Sequence, residues 1–346
     1  MSAQPKTQAL TRIKAQDYLS DEQIAIVRES SDWKGLWLTI HCWGIIFGAM
    51  ALFAAYPNPV TFVLGVFIVG ARQLGLAILM HDASHGVLCK TPWLNKFVGE
   101  WLVGFPMMTD MWAYRRYHLK HHANTQQADD PDLILSAPFP ITWKSFKRKM
   151  WRDFSGQTGY QQRKAQLKNA LGKPGAPLAE RAKTYWSKLG RPTITHLVLL
   201  GGLTAVGHWY LYFVLWLLPF LTWHQVITRV RNIAEHAMVP ENNNVFRSSR
   251  TTLLNPLERF FIGPYGVNYH VEHHLMMWIP CYNLPKARAF LLANGHGDKM
   301  ETMRGYWSVI KMATSRPDDQ DKPGKLVHNT RRRVSGIVSE GYEAAS

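Results

Sequence analysis

Histidine is the residue type in this sequence whose spacing most clearly predicts chemistry. Nine of its 15 histidines fall in four short clusters: HDASH at 81–85, HLKHH at 118–122, NIAEH at 232–236 and HVEHH at 270–274. Positions i, i+3 and i+4 share one face of an α-helix, so each cluster predicts a helix that presents its imidazoles in one direction. Neutral imidazole binds iron, zinc, copper and nickel. Nine imidazoles are too many for one ion, so the pattern predicts a site for two.

The combination of clusters is more specific than any one of them. A lone HxxxH often arises by chance, and a lone HxxHH is only somewhat stronger, but two HxxHH clusters with an HxxxH and an NxxxH are hard to explain without a metal site. Carboxylates near the clusters are candidates to orient the ligand histidines. These candidates are Asp82, Glu235, Glu272 and the acidic run Asp129, Asp130 and Asp132. His224 and Arg72 lie in or beside apolar segments, and their roles stay open at this stage.

Two long uncharged stretches predict the elements that position these clusters. Residues 35–71 and 192–228 contain no Asp, Glu, Lys or Arg, and each stretch holds 37 residues, which suits two membrane crossings of about 20 residues. Turn signals at Tyr56-Pro57-Asn58-Pro59 and near Gly207 divide them. We therefore predict an all-α membrane protein with four transmembrane helices in two hairpins, near 35–55, 60–80, 194–209 and 210–228, and a cytoplasmic helical cap that carries the dimetal site.

Charge predicts the orientation of these spans. Residues 72–191 hold 19 Lys and Arg against 8 Asp and Glu, and residues 229–346 hold 16 against 11, in a chain whose net charge is +16. The positive-inside rule then places both termini and all four clusters in the cytoplasm. We expect a cytoplasmic segment at 1–34, a membrane domain at 35–314 and a basic, disordered tail at 315–346. The membrane would be the inner membrane in a bacterium or the endoplasmic reticulum in a eukaryote.

At these clusters and their flanks the chain resembles the membrane fatty acid desaturase and hydroxylase family. The family pattern is HxxxH, HxxHH and HxxHH with an NxxxH before the last box, and the flanks RRYHLKHHANTQQADDPD and NYHVEHHLMMWIPCYNLP match as well. The resemblance covers about residues 35–292 and implies a centre of two iron ions. The implied ligands are His81, His85, His118, His121, His122, His236, His270, His273 and His274, with Asn232 acting through a bound water.

The resemblance implies an O2-dependent desaturase that introduces a C=C bond into a fatty-acyl-type or lipid-like substrate, which would be a lipid or an acyl-carrier substrate. The last box begins with His and the sequence has no heme-binding HPGG motif, which implies an external electron donor, ferredoxin or a cytochrome b5-like protein. No nucleic-acid partner is expected. The alternatives are a hydroxylase on the same centre, a zinc-dependent membrane lipid hydrolase, and a non-catalytic metal-binding or transport protein.

Overall fold

The computed structural model describes residues 14–241 and 243–316, and this part of the chain is mostly helical. Nearly all of the predicted tail at 315–346, including its basic cluster, lies outside the described residues. The expectation of an all-α protein needs one correction, because two short strands, β1 (Thr251–Leu253) and β2 (Thr302–Arg304), pair in parallel. This pairing ties the last helices of the chain to the segment just before the HVEHH cluster.

The first predicted hairpin is present as two long helices. After the short helix α1 (Asp21–Arg28), α2 spans Asp32–Ala55 and α3 spans Pro59–His85. The side chain of Asn58 accepts the backbone N–H groups of Val60 and Thr61 at the start of α3, where Pro59 suits the first helical turn. Both helices are long and apolar enough to cross a membrane. The HDASH cluster occupies the last turn of α3.

The second predicted hairpin differs from the first in length. Helix α10 (Arg191–Ala205) has 15 residues, fewer than the roughly 20 that a full crossing needs. After a turn, a helical stretch over Tyr212–His236, with non-helical backbone angles at Thr222, is the third segment long and apolar enough to span a membrane. It comprises a π-helical segment (Tyr212–Leu217), α11 (Leu218–Leu221) and α12 (Trp223–His236). The four-span arrangement and its orientation therefore remain predictions.

Shorter helices fill the segments between and after these apolar helices. Between α3 and α10 lie α4 (Pro92–Phe97), a π segment (Val98–Gly104), α5 (Met111–Asn124), α6 (Leu133–Ser136), α7 (Trp143–Phe154), α8 (Gln157–Ala170), α9 (Leu178–Tyr185) and a π segment (Trp186–Gly190). After α12 come α13 (Pro256–Phe261), α14 (His270–Leu275), α15 (Leu284–Ala293) and α16 (Tyr306–Ala313). Single 3-10 turns occur at Ala15–Asp17, Phe105–Met107, Pro264–Gly266, Cys281–Asn283 and Gly297–Lys299.

Helix α3 lies at the centre of the fold because small residues let other elements approach it closely. A Cβ atom added to Gly70 would lie 2.8 Å from the Trp223 ring, and one added to Gly65 would lie 2.9 Å from Leu215. These glycines let the 212–236 helix pack directly against α3. The contact brings the end of α3 and the end of α12, and hence the first and third histidine clusters, to the same side of the molecule.

Candidate metal centre

The nine clustered histidines meet in two groups whose ligand nitrogens lie within 4.8 Å of one another. The five-histidine group consists of His81, His85, His118, His122 and His273. The four-histidine group consists of His121, His236, His270 and His274. All four clusters lie on helices, as the spacing predicts, and four separate helices contribute: α3, α5, α12 and α14. The structure therefore brings together every histidine that the sequence pattern selects.

The two HxxHH clusters divide their histidines between the groups, which corrects the prediction that each cluster points in one direction. In α5, His118 and His122 join the five-histidine group and His121 joins the other. In α14 the roles are exchanged: His270 and His274 form a pair and His273 points to the five-histidine group. An α-helix turns by about 100° per residue, so adjacent histidines diverge while residues at i and i+4 stay aligned. HxxHH is thus a spacing that serves two metals.

The contacts inside each group fit a bound cation. In the five-histidine group, the Nε2 atom of His273 lies 3.0 Å from Nε2 of His81 and 3.0 Å from Nε2 of His122. In the four-histidine group, Nε2 of His270 lies 2.8 Å from Nε2 of His236. The Nε2 atom of His85 is buried and has no hydrogen-bond partner, and a ligand nitrogen that faces a metal would be in this state. Imidazole nitrogens converging in this way suit a transition metal.

Burial favours the form of histidine that binds metal. On the helices outside the membrane-spanning candidates, five imidazoles have a pKa that is held well below its usual value, first by burial and then by the charge of neighbouring imidazoles. They are His118, His122, His270, His273 and His274. A lowered pKa keeps these rings neutral near pH 7, and a neutral ring has a lone pair for a metal ion.

Asp130 is the clearest of the carboxylates that orient ligand histidines. Its buried side chain accepts a hydrogen bond from Nδ1 of His121 at 2.8 Å, which leaves Nε2 of that ring to face the metal group. It also accepts the backbone N–H groups of Gln126 and Asp132, both at 2.8 Å. Asp132 contacts the same ring at 3.7 Å, whereas Asp129 is exposed. The acidic run therefore separates into two positioning residues and one solvated residue.

The other candidate carboxylates have different partners. Asp82 lies 3.3 Å from Nδ1 of His81 and also accepts the backbone N–H of Cys281 at 2.6 Å. Glu235 lies 3.6 Å from His270. Glu272 contacts no histidine but accepts hydrogen bonds from Arg288 at 2.7 Å and Thr251 at 2.5 Å. Glu272 thus fixes α14 to β1 and α15 rather than orienting a ligand.

Two partners near the site escaped the sequence analysis. Arg231 forms a 2.6 Å hydrogen bond with Glu235 one turn away in α12, and Thr125 lies 3.3 Å from Nδ1 of His274. The spacing of Arg231 and Glu235 was a usable signal, because an i, i+4 pair of opposite charges commonly interacts on a helix. For Thr125 the sequence carries no signal, since the contact joins residues 149 positions apart.

Asn232 lines a cavity of about 190 Å³ together with His121, His236 and His270, three members of the four-histidine group. It precedes His236 by one helical turn and so faces the same way. The geometry is that of an i, i+4 pair in which Asn replaces the first histidine. This placement agrees with its predicted part in the site, and its action through a water remains a prediction.

A second cavity joins the metal groups to apolar surface. It measures about 170 Å³, and its lining includes His81, His270 and His273 on one side. Most of its other walls are apolar, with Leu74, Ala77, Ile78 and Met80 of α3, and polar residues such as Thr109, Thr228 and Arg231 complete the lining. His224 belongs to this lining, which settles its place in the structure. Arg72, whose role the sequence also left open, does not line this cavity. It is buried and donates to the backbone carbonyl of Phe260.

Comparison with known proteins agrees with this geometry. Residues 57–301 match the fatty acid desaturase family. The chain belongs to that family. It is 30% identical over 234 residues to dihydrorhizobitoxine desaturase of Bradyrhizobium elkanii, a match that covers 65% of this chain and 66% of that protein. The chain therefore spans slightly less than two thirds of the length of this relative.

Two further relatives show the range of the family. An sn-1 acyl-lipid omega-3 desaturase (ferredoxin) of Nostoc sp. is 24% identical over 63% of this chain and 64% of its own length. A beta-carotene ketolase of Paracoccus sp. is 24% identical over 73% of this chain and 87% of its own length. Family membership, together with three helices long and apolar enough to cross a bilayer, makes the chain a membrane protein of an oxidoreductase family.

Proposed function

We propose that this protein is an O2-dependent desaturase with two iron ions, which introduces a C=C bond into a fatty-acyl-type or lipid-like substrate. The observation that carries the proposal is the pair of histidine groups beside one apolar cavity. A family of oxidoreductases with such a site oxidises unactivated C–H bonds, and an apolar cavity is the surface that a hydrocarbon chain would contact. The ligands would be the nine clustered histidines, with Asn232 as the weak ligand.

The bound metals would supply the power to oxidise a C–H bond with O2. The residues of the chain orient the ligand imidazoles and line the cavity beside them. Asp130 keeps the Nδ1 proton of His121 directed away from the metal group, and Asp82 contacts His81 in the same manner. The side chains of Leu74 and Ile78 form an apolar wall beside His81 and His273, where a bound chain would displace water. These residues therefore place fixed imidazoles next to apolar surface.

The size of the cavity limits what it encloses. A cavity of about 150 Å³ with apolar walls holds one benzene-sized molecule, so the 170 Å³ here holds a short segment of a chain. A longer acyl chain would extend past the cavity toward the apolar helices. The relatives are named for substrates as different as dihydrorhizobitoxine, acyl lipids and beta-carotene, so the substrate is proposed only as an apolar chain with the reacting carbons in this cavity.

Electrons would come from a separate donor, ferredoxin or a cytochrome b5-like protein. One relative names ferredoxin as its donor. In this chain α5 carries three of the histidines, and on the same helix Arg116 and Lys120 are exposed. A basic surface one helix thickness from the metal groups would attract an acidic carrier. We further propose that both termini and this surface face the cytoplasm, on the basis of the positive-inside rule.

The test compares cells that express the wild type with cells that express a His273→Ala, His274→Ala double variant, which removes one ligand from each group. Mass spectrometry of lipids and small metabolites should find a product lighter by two hydrogens only with the wild type. A Lys168→Ala variant serves as the control, because Lys168 is exposed on α8 and lines no metal group. A wild-type protein that produces no oxidised product in the presence of iron, O2 and a reductant would contradict the proposal.

Hydroxylation is the second candidate, and the ketolase among the relatives favours it, since that enzyme adds oxygen to a carbon. The same mass measurement separates the two reactions, because a hydroxylase product gains one oxygen atom. The zinc-dependent hydrolase considered from the sequence has no support from these relatives. It would need neither O2 nor an electron donor, so turnover that continues under strict anaerobic conditions would restore it.

A further inference from the structure

A third cavity, separate from the metal centre, contains an arginine that forms no ion pair with the described residues. It measures about 450 Å³ and lies between α8, the π segment at 186–190, α10 and the 212–221 part of the long helix. Its walls are mainly apolar, with Leu189, Leu197, Leu200, Leu217 and Phe220. Cavities of 300 to 1,000 Å³ are typical of small-molecule sites. We call it the Arg163 cavity after the one charged residue in its lining.

Arg163 is held in this cavity without an anion. The Nη1 atom has no solvent exposure and no hydrogen-bond partner. Among residues 14–241 and 243–316, no carboxylate forms an ion pair with Arg163. Its guanidinium carbon lies 5.0 Å from the centre of the Phe220 ring, which compensates only part of the lost hydration. Arg163 as a whole is half-buried. Its buried Nη1 is nevertheless a donor without an acceptor, which is costly, and the described fold supplies no group to accept from it.

Polar groups around Arg163 mark the same part of the cavity. Nε2 of Gln166 donates to the carbonyl of Met108 at 2.6 Å, and this bond fixes the amide so that its Oε1 remains buried and unpaired. The hydroxyl of Tyr185 contacts Thr193 at 2.8 Å. The unpaired donor of Arg163 and the unpaired acceptor of Gln166 lie one helical turn apart on α8 and form a polar end of the cavity. The leucines form its apolar end.

We propose that the Arg163 cavity binds an amphiphile with an anionic head, a carboxylate or a phosphate, on Arg163 and an apolar chain against Leu197, Leu200 and Leu217. Guanidinium is the side chain best suited to both heads, because its planar N–H groups bind two oxygens at once. The free oxygen of Gln166 would accept a hydroxyl or ammonium proton of the same head. A fatty acid and a phospholipid share this chemistry, and binding experiments can separate them.

The cavity is close to the metal centre but distinct from it. Phe220 contacts Arg163 on one side and His224 on the other, where the ring centres are 5.5 Å apart. His224 in turn lines the cavity beside His270 and His273. One aromatic layer therefore separates the anion site from the apolar cavity of the metal centre. The proposal depends on the Arg163 cavity alone and not on the metal chemistry.

Native mass spectrometry of the purified full-length protein in a neutral maltoside detergent tests the proposal. The probes are oleate, oleoyl lysophosphatidate and, as the neutral analogue with the same chain, monooleoylglycerol. We expect Arg163→Gln to weaken binding of the preferred anionic probe at least tenfold, and Lys168→Gln, an equal charge loss at an exposed position of the same helix, to change it less than twofold. Preference for oleate would identify a free acid, and preference for lysophosphatidate a phospholipid.

A second variant tests the apolar end without changing charge. Leu200→Trp would fill the Arg163 cavity and should weaken binding of the preferred anion at least tenfold. Leu218→Trp should not, because Leu218 adjoins Leu217 in the chain but is outside the lining. Each leucine and Arg163 variant must first elute as a single species with wild-type metal content, which separates loss of the site from loss of the fold. The His273→Ala, His274→Ala variant should keep anion binding while losing turnover. Equal anion affinity in Arg163→Gln and wild type, or monooleoylglycerol binding as tightly as the anions, would overturn the proposal.

Discussion

Replacement of Asp130 by Asn should weaken one metal position and leave the other in place. The substitution keeps the size of the side chain but removes its charge and changes one acceptor into a donor. Asp130 contacts His121, which belongs to the four-histidine group, and no histidine of the five-histidine group. The effect should therefore be confined to one of the two metals.

The magnitude follows from the contacts of Asp130. Loss of a carboxylate that orients a ligand histidine typically lowers metal affinity 10- to 100-fold, about 1.4 to 2.7 kcal/mol. The Asn amide group would in addition face the backbone N–H of Gln126 or Asp132, both of which now donate to Asp130 at 2.8 Å. One buried donor left without an acceptor costs about 1 to 3 kcal/mol of folding stability. We thus expect a folded but less stable protein that binds the metal of the four-histidine group weakly.

The assay is elemental analysis of the purified protein after dialysis against increasing concentrations of a chelator. Wild type should lose both metals over one range of chelator concentration. Asp130→Asn should lose the metal of the four-histidine group at a 10- to 100-fold lower concentration and retain the metal of the five-histidine group. Asp129→Asn is the matched control, because Asp129 is the exposed neighbour in the same loop. If Asp130→Asn retains both metals through the wild-type range, Asp130 does not position His121 for metal binding.

Three further outcomes test other parts of the structure. Charge reversal of Arg116 and Lys120 together should slow turnover driven by an acidic protein donor at least tenfold at low salt and much less with a small chemical reductant; equal slowing with both reductants would exclude a docking role. Glu272→Gln breaks a buried ion pair with Arg288 and should lower the free energy of unfolding by about 3 to 5 kcal/mol. Glu241→Gln, in a more exposed pair, should lower it by less than about 1 kcal/mol. Similar losses in the two variants would contradict the burial of the Glu272 pair. Below pH 6.5 the unfolded chain binds protons at the five histidines with lowered pKa, while the folded chain does not. The melting temperature of the metal-free protein should therefore fall as the pH is lowered from about 7.5 to 5.5. A melting temperature that stays constant or rises would show that these rings are not buried and neutral.

The sequence predicted the parts of this protein that depend on local periodicity. An uncharged run and a Tyr56-Pro57-Asn58-Pro59 turn are enough to predict α2 and α3, because helix length and turn chemistry are local properties. The four histidine clusters predicted helices, and α3, α5, α12 and α14 carry them. The prediction that each cluster points in one direction was wrong for α5 and α14, whose histidines divide between the two groups. The short helix α10 was predicted about as long as its partner, since uncharged residues continue beyond Ala205 into the turn.

Features that depend on tertiary contacts could not be predicted. Asp130 and Asp129 are adjacent acidic residues with the same local pattern, and only the folded loop shows that one is buried against His121 while the other is exposed. Arg163 belongs to a helix with several other basic residues, and nothing in its spacing separates it from Lys164 or Lys168. Its difference arises because α8, α10 and the 212–221 segment surround one cavity, and this arrangement buries the Nη1 atom of one guanidinium.

The arrangement of the clusters gives the two metal groups the same internal plan. The five-histidine group receives one i, i+4 pair from α3, one from α5 and a single histidine from α14. The four-histidine group receives one i, i+4 pair from α14 and a single histidine from α5, and α12 supplies Asn232 and His236 at the spacing of the remaining pair. We propose that Asn232 takes the place of a fifth histidine in the four-histidine group through a bound water. A metal held there would have one imidazole fewer than its neighbour, so this position would be the one that more readily exchanges a ligand.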